Sequence, residues 1–224
     1  MTLEGPFGDT AVERLRSFLG VPELQLVGEA RYPAGATVLT PEALWVATRE
    51  PDAIVVWGLR ADTAVAVRDL RARGWDGPVY LRAALLDPLV GGLPGGLLGD
   101  VRVPVSPASL PSAVDEGDPA ASWLFDAREL GDGRLESRPY LADGAIVHDA
   151  LELARRAFEQ AASYGVDPSD LRGFRLALRD ALVTLPETTL AAGRYDLTMD
   201  STAAALAQGL RMARLVAGRL VPLR

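Results

Sequence analysis

A chain of 224 residues with a formal charge of −7, 49% hydrophobic and 24% charged, suits one large domain or two small ones and is not disordered, collagen-like or coiled-coil. All 23 basic residues are arginine, lysine, asparagine and cysteine are absent, and His148 is the single histidine, which excludes lysine Schiff bases, Walker-type phosphate lysines, thiolate catalysis, disulfides and multi-histidine or cysteine metal sites. The acidic balance argues against nucleic acid as a partner, no run approaches the ~20 apolar residues of a membrane span, and no cofactor is implied.

The first segment reads as a helix, with Thr10 as cap and Val12, Leu15, Phe18 and Leu19 as its apolar stripe, ended by Gly20 and Pro22. Leu24 to Gly28 reads as a short strand and Arg31 to Gly35 as a turn-rich connection. Thr40 is placed to cap a second helix, with Pro41 at its first position and Ala43, Leu44, Val46 and Ala47 on its buried side. Ala53 to Gly58 is a continuous β-branched run, the pattern of a parallel strand covered on both faces. Asp62 or Thr63 caps a third helix, whose Val65, Val67 and Leu70 are apolar and whose Arg68, Arg71 and Arg73 are expected in solvent. The turn Gly74 to Pro78 leads to a strand, Val79 to Leu81. Helices and strands alternating at this spacing predict right-handed crossovers around a parallel sheet, an α/β fold.

Gly91 to Gly99 reads as loop, Val101 to Val105 as a further strand, Ser106 to Pro119 as a polar connection, and Leu130 to Arg134 as a turn. A long helix starts at Gly144, with Ile146, Val147, Ala150, Leu151, Ala154 and Phe158 recurring at three- and four-residue steps. Asp167 to Asp170 caps another, with Pro168 at its first position and Leu171, Phe174, Leu178 and Leu182 opposite Arg172, Arg175 and Arg179. Gly193 to Thr198 reads as a strand, and Arg211 to Leu223, turning at Ala217-Gly218, as a terminal β-hairpin. The expected organisation is an α/β lobe over 1–110, an irregular linker over 111–143, a helical pair over 144–185, and strands and a hairpin over 186–224 returning to the lobe.

Several segments in this order resemble the type I periplasmic solute-binding proteins of ABC importers, the branched-chain amino-acid-binding family. They are Tyr32-Pro-Ala-Gly-Ala-Thr, Thr40-Pro-Glu, Pro51-Asp-Ala-Ile-Val-Val-Trp-Gly and Val67 to Tyr80, followed by the helix from Gly144 and the hairpin at Gly218. The resemblance covers the C-terminal-lobe portion of such a protein. It implies a three-layer, flavodoxin-like parallel sheet with extra C-terminal helices and a terminal hairpin. It also implies a small-molecule solute (an amino acid or a carboxylate-like compound), an ABC permease as partner, and no catalysis. Helices 145–164 and 168–183 would cover a sheet with no counterpart here, so a homodimer through them is expected. As it stands the chain carries no export signal and reads as cytoplasmic; if a leader has been trimmed, it is periplasmic or extracytoplasmic.

Ligand contacts in the family come from loops at the C-terminal ends of the strands. The resemblance therefore points to Gly58, Leu59 and Arg60 after the Trp57 strand and to Arg82 and Ala83 after Leu81, and, through the aromatic that the family often has just before its first helix, to Phe7. Amino-acid binders carry an acidic residue near position 83 to meet the ligand ammonium, and this chain has Ala83. Arg60 and Arg82 suit a carboxylate or another anion through forked hydrogen bonds, or are ion-paired surface arginines. His148 has no nucleophile near it in sequence, Asp115, Glu116 and Asp118 lack the EF-hand pattern, and Trp45, Trp57, Trp75 and Trp123 are expected in core or turns. Two functions follow: a solute-binding protein or a shortened relative of one, and a structural module that binds no ligand and self-assembles as a dimer.

Overall fold

The computed structural model describes the chain except for residues 20–23, 83–92, 94, 131–140, 168, 199–204, 207–208, 218 and 224, and describes the backbone alone at 60, 95, 96, 130, 141, 142, 205 and 206. The chain divides into two units, Met1–Pro104 with Met212–Arg224, and Val105–Arg211. The expected turns at Gly20, Leu130–Arg134 and Gly218, and Pro168, lie outside the described residues in whole or in part.

The first unit is built on parallel strands. In β3 (Ile54–Val56), β4 (Val79–Leu81) and β5 (Val101–Val105), Ile54 lies beside Val79 and Val79 beside Val101, all running the same way. Strand β1 (Thr2–Leu3) pairs in parallel with β2 (Arg31–Tyr32) and joins the end of β3, the Leu3 amide donating to the Trp57 carbonyl at 3.3 Å and the Trp57 amide to the Met1 carbonyl at 2.9 Å. The order is thus 2-1-3-4-5, the doubly wound arrangement whose ligand crevice lies between the first and third strands. Strand β9 (Arg211–Val216) continues the sheet beyond β5, and β10 (Arg219–Pro222) closes it as an antiparallel hairpin with β9.

Side chains alternate strictly on these strands. Ile54, Val56, Val79, Leu81, Val101, Val103 and Val105 are buried, whereas Val55, on the other face, is 37% exposed. The β-branched run therefore reports one fully buried face, where its composition predicts two. Each fully buried valine or leucine contributes on the order of 2 kcal/mol.

Helices α1 (Pro6–Phe18), α2 (Thr40–Ala47) and α3 (Arg60–Ala72) follow β1, β2 and β3. Each starts earlier than its cap residue predicts. Thr10 lies inside α1, its hydroxyl turned back to the Pro6 carbonyl at 2.9 Å. Thr40 is the first residue of α2 rather than its cap, because the buried Asp69 of α3 accepts the Leu39 amide at 2.7 Å from across the packing interface. Asp62 and Thr63 sit in the first turn of α3; Asp62 is drawn inward to accept the Gly35 amide at 3.1 Å. Residues 24–28 form no strand.

Arg71 is not in solvent. It is 8% exposed and donates to the carbonyls of Trp75 (2.6 Å), Gly77 (2.9 Å) and Leu98 (3.2 Å). The guanidinium fork thereby ties the turn after α3 and the helical turn Gly95–Leu98 to one point.

The second unit holds α4 (Pro119–Leu130), α5 (Leu141–Ser163) and α6 (Leu171–Thr184), and the antiparallel strands β6 (Thr188–Thr189), β7 (Arg194–Tyr195) and β8 (Ala205–Leu206). Residues 111–143, read as an irregular linker, thus contain a helix. Asp170 caps α6, accepting the Gly173 amide at 3.0 Å, one turn later than Asp167. The two long helices pack through alanine: Ala157 and Ala161 meet Ala181, with Phe174, Leu178 and Leu182 around them. The buried row of α5 is Ala145, Asp149, Leu153, Ala157 and Ala161, at strict four-residue spacing. The expected row is instead exposed, by 53% at Ile146, 59% at Val147, 67% at Leu151 and 49% at Phe158. Small residues let two helix axes approach closely, and this close contact prevails over the bulkier stripe.

Asp149 is wholly buried and fully engaged. Its oxygens accept the amides of Ala191 (3.0 Å) and Ala192 (2.7 Å) and the Tyr195 hydroxyl (2.8 Å). It thereby pins the turn before β7 to α5. His148 lies beside it, with Nδ1 3.1 Å from Asp149.

Candidate functional site

The C-terminal ends of β1, β3 and β4 bring Phe7, Trp57 and Arg82 together. Phe7 reaches this edge because α1 starts immediately after β1. Gly5, at φ +87°, makes the turn. Gly8 allows the helix to press on the strand, since a Cβ there would lie 1.7 Å from the Leu3 carbonyl oxygen. The Phe7 and Trp57 rings are 6.3 Å apart and tilted by 34°. The Arg82 guanidinium carbon lies 5.2 Å from the Phe7 centroid and 5.8 Å from that of Trp57. Both distances are within the range of cation–π attraction, which favours a cation over an aromatic face. Both rings remain open to solvent, 40% exposed at Phe7 and 36% at Trp57. No carboxylate among the described residues pairs with Arg82.

Gly58 is buried directly behind this cluster, where a Cβ would lie 2.3 Å from the Tyr32 hydroxyl. Leu59, 50% exposed, is the extended residue that caps α3, and Arg60 is the first residue of that helix. The Arg60 side chain and Ala83 lie outside the described residues. Of the six expected contacts, Phe7 and Arg82 therefore meet through their side chains, and Gly58 and Leu59 form the adjoining turn.

Trp57 is the member expected in the core. Its place at the strand end, next to Gly58, was the available signal. Trp45 is also outside the core, 40% exposed with the Arg49 guanidinium 3.9 Å above its ring. A cavity of about 320 Å³ in the second unit is lined by Asp118, Thr189, Arg194 and Arg211 among others. Its charges are already matched, Arg211 with Asp118 at 2.6 Å and Arg194 with Glu187.

No family model and no curated protein matches the chain. Solved structures do. An extracellular ligand-binding receptor from Rhodopseudomonas palustris HaA2 superposes with a TM-score of 0.80 at 21% identity, over 100% of this chain and 62% of that one. A type 1 periplasmic binding protein from Bordetella pertussis Tohama I gives 0.73 at 17% identity, over 99% and 60%. The fold is that of a type I periplasmic binding protein. An ABC transporter solute-binding protein from Rhodopseudomonas palustris, solved with benzoate, gives 0.64 at 13% identity, over 99% and 56%.

The chain spans about 60% of the length of these proteins. They are named as ligand-binding receptors and solute-binding proteins rather than enzymes. No helix among the described residues is long and apolar enough to cross a membrane.

Proposed function

We propose that this chain is part of a non-catalytic, extracytoplasmic solute-binding protein serving an ABC importer, and that it takes a small organic carboxylate at Phe7, Trp57 and Arg82. The carrying observation is a guanidinium beside two open aromatic faces, with no carboxylate partner among the described residues. A planar or branched apolar body suits the rings, and a carboxylate suits the fork of Arg82. Leu59 belongs to the rim in this reading, and the alanine that the sequence has at position 83 supplies nothing for an ammonium group. A simple carboxylate is therefore favoured over a zwitterionic amino acid. The benzoate held by one neighbour of the same fold supports the class.

Isothermal titration against benzoate, branched aliphatic carboxylates and branched-chain amino acids tests this. Carboxylates are expected to bind and Arg82→Ala to abolish binding. Silence across the panel, or amino acids bound with Arg82→Ala unaffected, would refute it.

A second reading is a self-assembling module that binds no ligand, and the exposed row Ile146, Leu151 and Phe158 favours it. Burying those side chains on a second copy would remove exposed apolar surface from water. A light-scattering mass of two chains at micromolar concentration, with no ligand found, would support it over the first reading.

A further inference from the structure

Two buried polar atoms of this unit have no hydrogen-bond partner in the protein: the Tyr32 hydroxyl, under the Gly58 turn, and Oδ2 of Asp62, in the first turn of α3. Their residues are among the least accessible in the unit, 0% exposed at Tyr32 and 2% at Asp62. A buried polar group left alone costs about 1–3 kcal/mol, and the charge of Asp62 acts on Tyr32, so the two call for a shared explanation. Asp62 is half satisfied, its other oxygen taking the Gly35 amide at 3.1 Å. The hydroxyl of Thr63 faces the same space. It spends its hydrogen on the Leu59 carbonyl at 2.8 Å and lies 3.2 Å from the point where a Gly58 Cβ would stand; the Tyr32 oxygen lies 2.3 Å from that point. Burial and the negative charge of Asp62 both push the Tyr32 pKa well above its ordinary value, so the hydroxyl keeps its proton as a donor.

We infer that one enclosed water molecule joins Tyr32, Asp62 and Thr63 under the Gly58 turn, making Tyr32 and Asp62 positioning residues for the loop that carries Leu59 and Arg60. The water accepts from the Tyr32 hydroxyl and donates to Asp62 Oδ2 and to the Thr63 oxygen. Three partners are the usual complement of a buried water. A metal ion is a poor alternative, because no three acidic or imidazole groups cluster anywhere among the described residues. Gly58 belongs to the same device, since any side chain there would displace the Tyr32 hydroxyl. The inference concerns the scaffold of the loop and stands whether or not a carboxylate binds in front of it.

A high-resolution crystal structure of the unmutated chain is expected to show a water within hydrogen-bond distance of both Tyr32 and Asp62. Direct contact between the two side chains, or a gap without density, would overturn the inference. Hydrogen exchange gives a second, sign-based test. If the water bridges, Tyr32→Phe and Asp62→Ala each speed exchange at the Leu59–Thr63 amides at least tenfold, and the double variant adds little. Asp62→Asn, which keeps an acceptor for Gly35 and a polar group for the water, is expected to restore most of the protection. If the hydroxyl is simply unpartnered, Tyr32→Phe removes a cost and exchange slows or holds; that result, or additive effects, would refute the bridge.

Discussion

At the scale of single residues, buried charges decide more than surface ones. Arg71 holds three carbonyls that would otherwise face one another inside the unit. Arg71→Met keeps the volume and removes the donors, so a loss of about 2–4 kcal/mol is expected from urea unfolding. Asp149→Ala strands two amides and the Tyr195 hydroxyl and is expected to cost more than 3 kcal/mol, a large share of any domain's stability. Asp69 supplies a pH dependence. Burial works against its ionised form, but the Arg68 guanidinium at 2.8 Å and the Leu39 amide win, and its pKa lies below the ordinary value. A carboxylate with a depressed folded pKa lends stability at pH above its unfolded value, near 4, and loses it as pH falls through the folded one. The urea midpoint should therefore fall on acidification below about pH 4, and Asp69→Asn should flatten part of that fall. None of these roles is legible in sequence. Arg71 reads as one of three surface arginines because its carbonyl partners at 75, 77 and 98 come near only through the fold.

At the scale of elements, the strands were the most legible part. The run Ile54 to Val56 and the segment Val79 to Leu81 have few alternatives once helix-length segments separate them, and they pair as their pattern requires. Helix existence was legible too, whereas helix faces were not. In α5, alanines at 145, 157 and 161 share a face with Asp149, while Ile146, Leu151 and Phe158 form a second and more conspicuous stripe. Hydrophobicity ranks the second stripe first, but close approach of two helices selects the first. Ala161→Leu is accordingly expected to cost about 1–3 kcal/mol by overpacking the contact with Ala181, measured as a drop in thermal midpoint. Leu151→Asp lies on the open stripe and should leave that midpoint nearly unchanged. The same holds for the candidate site: Arg82 follows from its place after a strand and Phe7 from the resemblance, whereas the ring of Trp57 joins them because the alternation of β3 carries past Val56 and sets Trp57 on the open face with Val55.

At the scale of the whole molecule, the first unit is discontinuous in sequence. Its sheet takes β3, β4 and β5 from the first 105 residues and β9 and β10 from positions 211–222, with the second unit between them. A chain ending before Arg211 would leave β5 as a bare edge with unpaired amides and carbonyls, a template for association between chains. Such a form is expected to aggregate in size-exclusion chromatography where the full chain elutes cleanly. The arrangement also sets an order of events during synthesis. The ribosome releases β5 more than 100 residues before its partner β9 exists, so the helical insert emerges whole while the sheet still waits for its last two strands. A pause in translation before β9 emerges would therefore leave nascent chains with the edge of β5 open, in their most adhesive state.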